Sequence, residues 1–156
     1  MIQNLKKAIV TSIFEVLETM LFMIVEFDEK SALAECNIIG QDKITGCMLK
    51  FTGPISGTFI LWVPDDQLHS MTADFMGLAP DKLIDEHTSG TIKEVINMVA
   101  GNAFGKYDDK VEFKLGIPEL LKKGNNEKMI KEKGSDEIFI KVNTPDSFIA
   151  VKVIIQ

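Results

Sequence analysis

The chain has 156 residues, 46% of them apolar, with 17 Lys+Arg against 23 Asp+Glu and a net charge of −6. This length supports one good core and is too short for two ordinary domains, so residues 1–156 are expected to form a single domain. The negative balance disfavours nucleic acid and anionic membrane surfaces, which attract basic patches. The first apolar run, Ala8 to Val25, is not expected to span a membrane. Glu15 and Glu18 sit inside it, each costly at a bilayer centre, and the run is short for a span of about 20 residues. It reads as an amphipathic helix from about Ile2 to Val25, with a polar stripe of Asn4, Lys7, Thr11, Glu15 and Glu18 spaced by threes and fours. The N-terminus carries no signal-peptide pattern, so the expected location is the cytoplasm.

Three strand-like runs follow: Ala32 to Ile39, Ile44 to Phe51 and Gly57 to Val63. Short turns between them predict an antiparallel meander. Cys36 and Cys47 fall in these runs and are expected to be reduced, semi-buried strand residues. With only His69 and His87 besides, no Cys/His cluster forms and no metal site is expected. Asp65 opens a second helix, Asp66 to Met76, with Gly77 as its C-cap. A central helix begins somewhere between Lys82 and Thr91. Beyond it, Val111 to Ile117 reads as extended and Lys122 to Glu127 as a charged connection. Lys128 to Lys131, Glu137 to Val142 and Ser147 to Ile155 read as strands. Strands and helices come in runs rather than alternating. That predicts an α+β fold: a largely antiparallel six-stranded sheet with two long helices and one shorter helix packed on one face.

The central stretch, Ser89 to Lys106, carries the chemistry. At about 100° per residue, Ile92, Val95, Ile96, Val99 and Ala103 gather on one side. Gly90, Glu94, Asn97, Gly101 and Gly105 line the opposite side. Glycine costs about 1 kcal/mol against alanine inside a helix, and asparagine is also a poor helix former. A helix that carries both on its exposed face needs bare backbone there for something to approach. The bland alternatives are a capping box, Thr91-x-x-Glu94, and an Asn97 that nothing selected. Gly101 to Lys106 is not a phosphate loop: only three residues separate the glycines, Tyr107 follows the lysine, and the stretch follows a helix. The Met residues read as core filling, except Met98, which lies beside Glu94 and is placed to contact a partner. A weak internal echo pairs Thr11, Glu15 and Glu18 with Gly90, Glu94 and Asn97.

Glu94-Val-Ile-Asn97-Met-Val-Ala-Gly101-Asn102-Ala103 resembles the signature of the chemotaxis phosphatases CheC, CheX and FliY. In that family an Asp or Ser is followed by three residues, a Glu, two residues and an Asn, with a proline some twenty residues on; Pro118 stands at about that distance. The resemblance covers the whole chain. Two departures are visible. Gly90 occupies the Asp/Ser position, with Ser89 one residue early. The first helix has Glu15 and Glu18 where a CheC-like protein has a second Glu/Asn pair. One intact pair makes the chain more similar to CheX than to CheC.

The resemblance implies a CheC/CheX-like fold and a phosphatase acting on the aspartyl phosphate of a CheY-like response regulator. Asn97 would orient the in-line water and Glu94 would dock on the regulator's lysine. Gly90, Met98 and Gly101 would form the docking contact. No cofactor of its own is implied; Mg²⁺ is expected in the partner receiver domain. A homodimer is also implied. Two other readings stay open: a non-catalytic module that binds a receiver domain or another signalling protein, and an adaptor for a receptor-modifying deamidase partner.

Overall fold

The computed structural model describes residues 1–29, 43–122 and 124–156. Helix α1 spans Ile2–Leu21 and buries Leu5, Ile9, Ile13, Val16 and Leu17. It stops short of the expected end at Val25 because Phe22 turns into the left-handed region (φ 51°) and the Phe22 and Met23 N–H groups both close on the Leu17 carbonyl. Apolar residues run on past that point, so hydrophobicity alone overstates the helix. Strand β1 (Glu26–Phe27) follows. The expected strand Ala32 to Ile39, with Cys36, lies outside the described residues.

Strands β2 (Ile44–Thr52) and β3 (Gly57–Pro64) form an antiparallel hairpin in which Cys47 faces Leu61 and Phe51 faces Gly57. Helix α2 (Asp65–Met76) begins with two acidic residues at its positive end and stops at Gly77 (φ 65°). A short 3₁₀ turn at Pro80–Lys82 leads to α3, Asp85–Tyr107. The expected extended segment Val111 to Ile117 becomes β4 (Lys114–Leu115), and beyond Pro118 comes β5 (Glu119–Leu120); both pair with β2. Helix α4 (Asn125–Lys131) precedes the hairpin of β6 (Asp136–Asn143) and β7 (Phe148–Ile155).

The described strands form one antiparallel sheet in the order β1-β6-β7-β3-β2-β4, with β5 also on β2. Alternation sends Leu49, Phe51, Phe59, Leu61, Ile140, Val151 and Val153 to the face covered by α1, α2 and α3. The α+β class and the helix-covered face are as expected. Two details are not. The described sheet has seven strands rather than six, because short pairings at β1, β4 and β5 add to the long hairpins. Lys128 to Lys131 is the end of α4, not a strand. A run this short has no decisive period, and tertiary contacts choose the helix: Ile130 buries against Trp62 and Ile154 on the other face of the sheet.

That second face has its own polar anchors. Trp62 Nε1 donates to Asn126 Oδ1 (3.2 Å), whose Nδ2 donates to the Ile44 carbonyl (3.4 Å). Lys152, 1% exposed on β7, donates from Nζ to the carbonyls of Met129 (3.1 Å), Ile130 (2.7 Å) and Glu132 (2.5 Å). These are the orphan acceptors at the end of α4. Burial pulls the Lys152 ammonium below its ordinary pKa, while Glu137, 3.7 Å away, opposes the shift. Lys152→Ala leaves those carbonyls buried and unpaired. It should destabilise the fold by about 3 kcal/mol, read as a lower urea midpoint with Trp62 fluorescence as the probe. An unchanged midpoint would show that α4 holds without it.

Candidate functional site

Helix α3 is the element on which the site is built, and its start decides one question at once. It begins at Asp85, so Thr91 lies past the first turn and is 1% exposed. The Thr91–Glu94 capping box therefore does not form. The Ile84 N–H instead donates to His87 Nδ1 at 3.1 Å, and Asp85 and Glu86 complement the positive end of the helix.

The inner face sets the rotation of the helix. Ile92, Val95, Ile96, Val99, Ala100 and Ala103 are buried. Ser12 of α1 donates its hydroxyl to the Val99 carbonyl at 2.7 Å in a buried interface. Near the other end, Phe104 lies 4.7 Å from Phe51 and stacks on Phe113 at 4.4 Å, tying the helix to the sheet and to the segment before β4.

With that face fixed, the opposite one is turned outward. Glu94, Gly90 and Gly101 are exposed, and Asn97 and Met98 are partly buried. Met98 leans on the core and keeps only part of its side chain at the surface. Among the described residues, nothing hydrogen-bonds to the Glu94 carboxylate or the Asn97 carboxamide. Nor does packing require the glycines. A Cβ at Gly90 or Gly105 would meet nothing within 4 Å, and one at Gly101 only Leu115 Cδ1 at 3.8 Å. By contrast, a Cβ at Gly57 would collide with the Ile154 carbonyl and one at Gly134 with the Ile155 carbonyl. Gly57 and Gly134 serve the fold; Gly90, Gly101 and Gly105 do not. The arrangement offers an acceptor, a donor–acceptor amide and uncovered backbone to a partner's surface.

A larger cleft among the described residues lies elsewhere. It encloses about 960 Å³ among the end of α1, the start of α2 and the β6–β7 turn, and includes none of these residues.

Sequence reasoning missed the use made of Glu15. Its Oε2 accepts from Asn102 Nδ2 (3.0 Å) and its Oε1 pairs with Lys106 Nζ (2.9 Å). Asn102 and Lys106 are i,i+4 neighbours on the flank of α3 that meets α1, so one carboxylate reaches both. Glu18, its counterpart in the internal echo, stays exposed. The Asn102 hydrogen bond, then the Lys106 hydrogen bond, hold the Glu15 carboxyl below its ordinary value of 4.5. Because the folded value is depressed, the bridge is complete above the ordinary value and is lost as pH falls through the lowered one. Side-chain NMR titration should find Glu15 below its ordinary value, with Asn102→Ala moving it back up. Titration of Glu15 at its ordinary value, unmoved by Asn102→Ala, would rule out the bridge in solution.

An antiparallel sheet with helices on one face, carrying a carboxylate and a carboxamide on the outer side of α3, is an α+β architecture shared with a known family. The family model described as "Chemotaxis phosphatase CheX" matches residues 45–143, which contain all of α3. The chain belongs to the CheX family. A CheC-like superfamily protein from Shewanella sp. PV-4 shares its fold with a TM-score of 0.77 at 18% identity, over 98% of this chain and 97% of that one. CheX from Vibrio vulnificus gives 0.74 at 16%, over 96% and 95%. The CheX–CheY–BeF3–Mg²⁺ complex from Borrelia burgdorferi gives 0.72 at 21%, over 96% of each chain. No curated protein sequence matches the chain. Among the described residues, no helix is long and apolar enough to cross a membrane.

Proposed function

We propose that this protein removes the phosphoryl group from the aspartyl phosphate of a CheY-like receiver domain in the cytoplasm. The observation that carries the reading is the pairing of Glu94 and Asn97. Both sit on a helix whose inner face is locked, and neither has a hydrogen-bond partner among the described residues. Membership of the CheX family supports it. The Borrelia burgdorferi CheX is seen with CheY, BeF3 and Mg²⁺, and a partner of that kind is proposed here.

The chemistry asks little of the helix beyond position. The receiver brings its own Mg²⁺ and lysine to the phosphoryl group. The missing part is a water in line with the P–O bond to the aspartate. The Asn97 amide can accept from that water and donate to a neighbouring oxygen, holding the attack line. The new P–O bond forms from water as the bond to aspartate breaks, releasing inorganic phosphate and a free carboxylate. Glu94 pairs with the receiver's lysine and sets the register. Gly90 and Gly101 let the backbone come close, and Met98 adds an apolar contact. Alignment matters because about 1 Å of misplacement costs on the order of 10²-fold.

A second reading is favoured by Gly90, which stands where the family carries Asp or Ser: a module that docks on a receiver without hydrolysis. The decay of a phosphorylated receiver separates the two. Wild type should accelerate it, and Asn97→Ala should lose about 10²-fold of that acceleration. Binding without acceleration selects the docking module. Equal decay with wild type and Asn97→Ala removes Asn97 from the reaction.

A homodimer is proposed by analogy with the family. Sedimentation at micromolar concentration should then give twice the 17.4 kDa of one chain; a single-chain mass would count against it.

A further inference from the structure

Beyond Asn97 the bare face of α3 runs into a shallow groove of about 350 Å³. Gly101 and Gly105 expose their backbone along it, and Phe113 and Leu115 wall it. The wall is built rather than incidental. Phe113 stacks on Phe104 (4.4 Å, 16°) and meets Tyr107 edge-on (6.2 Å, 68°). Leu115 is held by the pairing of β4 with Phe51. Val111, 38% exposed, closes the far end.

The charged residues that line the groove are all carboxylates: Asp108, Asp109 and Glu112. One Asp108 oxygen is occupied by the Lys110 N–H at 3.0 Å. Asp109 and Glu112 are exposed and have no partner among the described residues. The nearest lysine on the helix, Lys106, is turned to the other flank by Glu15 at 2.9 Å. Among the described residues, no basic side chain lines the groove.

We propose that the groove is the second contact for the receiver that docks at Glu94 and Asn97. It would take one apolar side chain flanked by lysine or arginine. The inference rests on the reading of the preceding subsection. Continuity supports it: at about 1.5 Å per residue, Gly101 and Gly105 lie about 6 and 12 Å beyond Asn97. Both fall within the roughly 800 Å² that one partner contributes to a standard interface. The apolar wall and unpaired acidic rim define the occupant's chemistry, an apolar anchor beside a basic group. The two contacts divide the labour: the Glu94–Asn97 turn acts on the phosphoryl group, while the groove, touching nothing that reacts, sets which receiver is held.

The test uses the full chain and a CheY-type receiver domain loaded with beryllofluoride and Mg²⁺ for binding, or phosphorylated for decay. Gly105→Leu fills the groove, and its Cβ meets nothing within 4 Å, so folding is preserved and checked by thermal melting. Asp109→Lys/Glu112→Lys reverses the rim at the surface. Each should weaken binding about tenfold and raise KM similarly, with kcat within about twofold, since interface anchors act on affinity. The rim variant should also change the salt dependence of binding. If both variants bind like wild type while Asn97→Ala loses activity, the groove is idle and the phosphatase reading stands. If the variants bind weakly while Asn97→Ala has no effect on decay, the groove stands as part of a docking module. If wild type binds no receiver, both proposals fall.

Discussion

The outward display of α3 depends on how its inward face is held. Rotating the helix by one residue step, about 100°, would carry Asn97 toward the core and bring an apolar residue out. Three contacts oppose that rotation: the apolar packing of Ile92, Val95, Ile96 and Val99, the Ser12–Val99 hydrogen bond, and the ring cluster at Phe104. They differ in physical kind. The packing is non-directional and supplies most of the stability. The buried hydroxyl–carbonyl bond and the stacked rings are directional and select one orientation within that packing.

The outer face inverts the usual economy of a helix. Glycine and asparagine lower helix stability, and the space around Gly90, Gly101 and Gly105 shows that no contact among the described residues demands them. The compensation comes from the length of α3 and its buried side. Helix α1 follows the opposite policy. Its Glu15, the echo of Glu94, is spent inside the protein on Asn102 and Lys106, and Glu18 cannot donate as an amide does when ionised. The two helices share a pattern, but one presents its polar residues to solvent and the other uses one of them as a brace.

The rest of the fold supplies rigidity. β3 and β7 are buried along nearly their whole length, one face under the three long helices and the other under α4. Lys152 makes the second cover possible. It neutralises three carbonyls that a short helix cannot satisfy internally, at the cost of burying an ammonium group.

Much of this was legible in the sequence. Periodicity separated the inner and outer faces of α3, the glycines and the Glu94–Asn97 spacing marked the outer one as unusual, and runs of strands and helices set the α+β class. These are local properties, carried by residues within a turn or two of one another. Apart from the end of α1, what failed depended on distant partners. Val25 is apolar but lies beyond a left-handed turn that only backbone geometry reveals. Lys128 to Lys131 became helical because Trp62, Ile154 and Lys152, remote in the chain, accept it in that form. Glu15 found Asn102 and Lys106 for the same reason. The sequence by itself determined which side of the central helix is bare and which residues stand on it, because helical period is a local rule. Only the tertiary structure decided that the apolar side is locked against α1 and the sheet, that Glu94 and Asn97 face outward without partners among the described residues, and that a groove with an acidic rim continues beyond them. Those facts depend on contacts between segments far apart in the chain, which local spacing does not encode.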